Sequence, residues 1–202
     1  MSTNNSGNNL KYGYVSVIPP VFRNEESGEL ISNCVTCDKY LLNPGTYYLI
    51  EKAIRTYPVI GEQFSIFEYA ICFSCAQTMQ QKMSQDSLKK IQQFHLENNL
   101  LDHRRTKLQS NDNLSINDWV GSCIFSGDKV NAIQEYQIFA QCNGTSMLLG
   151  DLPYMVSGAI IEQMSEILSQ ETKDEMDDFI DENFGLPPEW KKALKERDVV
   201  LI

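Results

Sequence analysis

The sequence predicts an α+β protein built as a tandem duplication of one small unit, a cysteine knuckle followed by a β-hairpin and a helix. Three observations lead there. Two Cys-x-x-Cys pairs, Cys34-Val-Thr-Cys37 and Cys72-Phe-Ser-Cys75, stand in the first half. A shift of 85 residues lays Tyr69 to Asn98 on Tyr154 to Asn183 without a gap. In each half, runs of aromatic and β-branched residues precede a stretch with helical apolar spacing.

Each cysteine pair closes a tight turn that presents two thiolates, and two such turns complete a tetrahedral four-thiolate shell of the structural zinc type. The metal ligands are therefore Cys34, Cys37, Cys72 and Cys75, and the implied cofactor is one structural zinc ion. A closed shell leaves no coordination position for a substrate. It explains how part of the chain is held together better than what the chain does. Cys123 and Cys142 are left as buried bystanders.

The internal match pairs Met79 with Met164, Ser84 with Ser169, Phe94 with Phe179, and Glu97-Asn98 with Glu182-Asn183. With a slightly larger shift, Cys34 to Cys37 falls on Cys123 to Ser126, and Tyr47 on Tyr136. The second copy then lacks the metal, because Ser126, Ser157 and Ile160 replace three of the four cysteines. Ser157 is expected to cap a helix, and Ile160 to pack in the core.

The strands of copy one are expected over Thr46 to Thr56 and Phe64 to Ile71, with a turn from Tyr57 to Gly61. Those of copy two are Glu135 to Cys142 and Ser146 to Leu149, joined at Asn143-Gly144. The helices follow, with a break at Ser84 to Ser87 in one copy and Ser169 to Thr172 in the other, where serine and acidic residues signal a new N-terminus. The expected organisation is a disordered tail (1–10), copy one (11–105), a polar linker (106–117) and copy two (118–184). A short helix with Trp190 and the apolar tail Val199 to Ile202 complete it (185–202).

The 202 residues carry a net charge of −10, unevenly spread. Residues 1–110 hold 11 Lys/Arg against 10 Asp/Glu, and the remainder holds 6 against 17. This balance disfavours binding to nucleic-acid phosphates. No run reaches transmembrane length and no secretory signal stands at the start, so the chain reads as cytoplasmic, with no membrane contact.

Copy one, over residues 30 to 98, resembles the treble-clef group of zinc fingers. There a knuckle supplies two ligands, a hairpin follows, and the first turn of a helix supplies the other two. The resemblance implies a structural metal but no single function, since the group includes nucleic-acid binders, nucleases and protein-interaction modules. A nuclease of that kind places a histidine on the hairpin, and none stands there. His95 reads as a helix-face residue, and His103-Arg104-Arg105 as the C-terminal end of the same helix.

The function expected is therefore a non-enzymatic, zinc-stabilised interaction or adaptor module whose partner is another protein. The first alternative is a nucleic-acid-associated zinc finger using a basic strip, Lys89-Lys90 with His103 to Lys107. The second is a thiol redox protein using Cys72 and Cys75. The acidic run Glu171 to Glu182 reads as a solvated helix face rather than a cation site.

Overall fold

The computed structural model describes residues 10–57, 61–98 and 100–184. Residues 1–9 of the expected tail (1–10), residues 58–60 of the turn and the helix and apolar tail at 185–202 lie outside the described residues, while Leu10, expected in the disordered tail, is buried and bridged to Leu114. Among those described, the chain is a mixed α/β structure: one antiparallel sheet of six strands, with six α-helices. Helices over the sheet follow from its apolar strands, because each apolar face must be buried against another element.

The strands are β1 (Val15–Val17), β2 (Tyr47–Tyr57), β3 (Glu62–Cys72), β4 (Glu135–Asn143), β5 (Ser146–Leu148) and β6 (Tyr154–Ser157). The helices are α1 (Phe73–Lys82), α2 (Gln85–Asn98), α3 (Leu101–Gln109), α4 (Asn117–Val120), α5 (Gly158–Ile167) and α6 (Gln170–Asn183). The sheet runs β1-β5-β4-β2-β3, and β6 lies beside β4 next to β5. Both expected hairpins form at their expected places, and both helical breaks fall at the serines.

Register gives the sheet its internal pattern. Glu51 on β2 lies opposite Tyr69 on β3 and Phe139 on β4, and Phe139 lies opposite Tyr154 on β6. Directly opposed residues share a face, so Tyr69, Glu51, Phe139 and Tyr154 form one row across four strands. Tyr48 pairs with Cys72, and Tyr136 pairs with Ser157. By register it is thus Tyr48, and not the expected Tyr47, that stands against Cys72 as Tyr136 stands against Ser157; side chains alternate between faces, so a one-residue shift would turn the tyrosine to the other side.

The same local geometry recurs in the two halves. α1 and α5 have ten residues each, α2 and α6 fourteen, and their ends differ by 85 throughout. In the first knuckle Cys34 N donates to Lys39 O (2.9 Å) and Asp38 N to Cys34 O (2.9 Å). In the second, Cys123 N donates to Asp128 O (2.8 Å) and Gly127 N to Cys123 O (2.9 Å). Asp38 has φ 57° and Gly127 φ 75°, so the same left-handed turn is held by aspartate once and by glycine once.

The second helix of each half reaches across to the other half. Phe179 of α6 packs on Tyr69 of β3, with ring centroids 5.6 Å apart, while Phe94 of α2 packs on Phe125 of the second knuckle at 5.4 Å. The two crossings meet at four hydroxyl side chains. Ser84 Oγ lies 2.8 Å from Ser169 Oγ, Ser84 N donates to Thr172 Oγ1 (3.0 Å), and Ser169 N donates to Ser87 Oγ (2.9 Å).

The region expected as a polar linker is folded. Thr106 to Gln109 belong to α3, Leu108 and Leu114 are buried, and Leu114 forms a β-bridge with Leu10. Two leucines among polar neighbours suffice to dock it. His103, Arg104 and Arg105 stand in the first turn of α3 rather than at the end of α2, which stops at Asn98. The dipole there does not favour cations, and their partners lie elsewhere. Arg105 pairs with Asp151 at 2.7 Å, and Arg104 donates to the carbonyls of Trp119, Pro153 and Asp151.

Candidate metal centre

Four expected ligands come together from three elements. The loop bearing Cys34 and Cys37 is tied to the sheet by Val35 N, which donates to Ala70 O at 2.9 Å. Cys72 ends β3 and stands at the N-cap of α1, and Cys75 lies in the first turn of that helix. Strand pairing and helix initiation thus deliver the second pair to the knuckle.

The four sulfurs all lie within 4.8 Å of one another, and Cys37 Sγ is 3.8 Å from Cys72 Sγ. A tetrahedron with Zn–S bonds of about 2.3 Å has edges of about 3.8 Å, so this edge has the length that four thiolates around one such ion require. The set could hold a metal ion, and it is the one such group among the described residues. Cys34 and Cys72 are buried, Cys75 is half-buried and Cys37 is exposed.

The electrostatics are those of a cluster that shares charge unequally. Burial pushes the Cys72 thiol up, but the Ser74 hydroxyl at 3.2 Å, the Cys75 amide and the neighbouring thiols bring it to about 6. Burial and the sulfurs of Cys37 and Cys72 hold Cys75 well above the ordinary thiol range. Four sulfurs at this separation repel one another as thiolates, and a cation between them would remove that penalty.

Among the described residues the second half has no such group. Ile160 is buried where Cys75 stands in the first, and Cys123 Sγ accepts the Ser157 amide at 3.4 Å, just as Cys34 Sγ accepts that of Cys72 at 3.4 Å. Ser157 occupies the N-cap of α5, yet its hydroxyl makes no capping bond, contrary to expectation. Its buried Oγ has no partner, because the residue belongs to β6, where it pairs with Tyr136. Ser169 is the serine that caps, accepting from Thr172 N at 3.3 Å.

The remaining candidates are absorbed by packing. His95 packs edge-on against Phe125 at 4.9 Å, and burial lowers its pKa. Along the expected basic strip, Lys90 pairs with Asp86 (2.7 Å) and Arg105 with Asp151. From the acidic run, Glu175 pairs with Lys82 (3.1 Å), while Met176, Phe179 and Ile180 are buried. Cys142 is fully buried, and burial pushes its thiol up to about 12.

Two buried charged residues on adjacent positions of β2 escaped sequence reasoning. Lys52 sits 2.8 Å from Glu68 and donates to Arg23 O, on the face opposite the helices. Glu51 is on the helix face, 4% exposed, with Tyr69 Oη donating to its Oε2 at 2.5 Å. The only signal was a Glu-Lys pair in the middle of a strand otherwise apolar on both faces.

Among the described residues no helix is long and apolar enough to cross a membrane. No protein-family model, curated protein or solved structure matches this chain.

Proposed function

We propose that the protein is a non-enzymatic interaction module whose first half is fastened by one structural zinc at Cys34, Cys37, Cys72 and Cys75. The observation that carries this reading is the four-sulfur cluster, which uses every coordination position on protein thiolates and leaves none for a reactant. Knuckle, hairpin and helix supply its ligands in the order of the treble-clef group. We also read the chain as a tandem duplication in which the second copy has exchanged metal for core. Equal helix lengths, the common shift of 85 and the repeated knuckle hydrogen bonds support that reading.

The partner we propose is another protein, met in the cytoplasm. The ion pairs that engage Lys90 and Arg105 take charge out of the strip a nucleic acid would need. Elemental analysis of the purified chain should find one zinc per molecule, and a gel shift with mixed DNA or RNA at low salt should show no complex. A chain that is stable and free of metal overturns the zinc centre. A salt-sensitive shift overturns the choice of partner in favour of nucleic acid.

A further inference from the structure

A cavity of about 390 Å³ lies between the sheet and the helices α1 and α2, within the size range of small-molecule sites. Its walls are apolar in the main, with Leu49 and Ile71 from the sheet and Met79, Met83 and Ile91 from the helices. Its floor is part of the row described above. Glu51 lies there between Tyr69 and Phe139, and Tyr154 follows, its ring 5.3 Å from that of Phe139.

Glu51 is the anomaly of this cavity. One carboxyl oxygen takes the Tyr69 hydroxyl, but the other, Oε1, is buried without a hydrogen-bond partner. A buried acceptor without a donor is costly, and it persists where something else supplies the donor. The fold itself does not ask for a carboxylate there: the residue opposite, at the matching place of the second half, is Phe139. Ring faces on both sides of Glu51 attract a cation, and an ammonium bound there would favour the ionised carboxylate over the protonated form that burial otherwise keeps.

We propose that this cavity binds a small organic amine, with its ammonium group on Glu51 Oε1 among the rings of Tyr69, Phe139 and Tyr154, and its apolar body along Ile71, Met79 and Ile91. The inference goes beyond the zinc-stabilised module and does not depend on it. A neutral donor would satisfy Oε1 but would leave the rings and any charge on the carboxylate unused.

The test is calorimetric titration of the full, metal-loaded chain with phenylbutylamine, phenylbutanol and phenylbutyrate, three ligands of one shape with different heads. The amine should bind saturably, the alcohol at least about tenfold more weakly, the margin of one charge-assisted hydrogen bond, and the carboxylate not at all. Glu51→Gln should bring the amine to the level of the alcohol. Ala76→Phe, which fills the cavity from α1, should weaken both. Equal binding of amine and alcohol, amine affinity that survives Glu51→Gln, or no binding of the amine at millimolar concentration would each overturn the proposal. The comparison of heads on the unaltered chain decides it even where a variant does not fold.

Discussion

Replacing Glu51 by glutamine should change how stability depends on pH, and the size of the change follows from burial. Burial pushes the Glu51 carboxyl up to about 8, with the Tyr69 hydrogen bond opposing, against an ordinary value of 4.5. A folded-state value above the unfolded one means that the folded chain holds a proton which the unfolded chain has released. The stabilisation is fully present below pH 4.5 and is lost as pH rises toward 8. At about 1.4 kcal/mol per pH unit, moving from pH 5 to pH 7 removes on the order of 2 to 3 kcal/mol, a large share of a typical domain's stability. Glutamine keeps the shape and cannot ionise. Urea unfolding of both chains at pH 5, 6 and 7, at fixed zinc, should show the variant gaining on the parent by that amount. Differences between the two chains cancel the pH dependence of the metal centre. A constant difference across the range would show that Glu51 ionises normally in the fold, and would refute the reasoning.

Three further outcomes follow from the same structure. Cys34→Ser or Cys75→Ser should lower metal content from one ion per chain to none and unfold the first half, whereas Cys123→Ser should leave metal content unchanged, as read by elemental analysis and circular dichroism. Ser169→Ala should cost about 1 kcal/mol in chemical unfolding, because its hydroxyl caps α6, while Ser157→Ala should cost nothing measurable, because its hydroxyl caps nothing. Met164→Ala empties a fully buried site in α5 and should cost about 2 to 5 kcal/mol, whereas Leu96→Ala on the exposed face of α2 should stay within about 0.5 kcal/mol.

Much of the fold was legible because local chemistry and global structure agree. Aromatic and β-branched runs with turn residues between them marked both hairpins, the serine and acidic clusters marked both helical breaks, and two-residue cysteine spacers marked the four sulfurs. What stayed hidden depends on long-range pairing. The short strand Tyr154–Ser157 exists because it pairs with Tyr136 to Phe139, and four residues directly after a proline carry no pattern of their own. The linker misled because nine polar residues outvoted Leu108, Leu114 and Ile116 in composition, while burial of the two leucines decides where the segment lies. Glu51 was invisible for the opposite reason: in a strand covered on both faces, alternation no longer tells which polar residue is inside.

The difference between the halves links the metal centre to the cavity. α5 buries Ile160, Ile161, Met164 and Ser165, and α6 buries Thr172, Met176, Phe179 and Ile180. α1 has no fully buried residue and α2 has only Ser87. By apolar burial alone, at about 1.5 to 3 kcal/mol for each large aliphatic side chain, α5 is held more strongly than α1. The structural zinc proposed above, with an apparent binding free energy of about 10 to 16 kcal/mol, would outweigh that deficit, and two of its proposed ligands, Cys72 and Cys75, sit at the start of α1. A helix held by its first turn does not need to press its length onto the sheet, and the space left beneath α1 and α2 is the cavity over Glu51. In α5, where Ile160 stands at the place of Cys75, the helix buries its apolar face, packed by α2 as well as by the sheet. α5 leaves a cavity of its own, about 570 Å³, against Ile66, Phe67 and Tyr136, so the two halves differ in what fastens the helix and not in whether space stays open beside it.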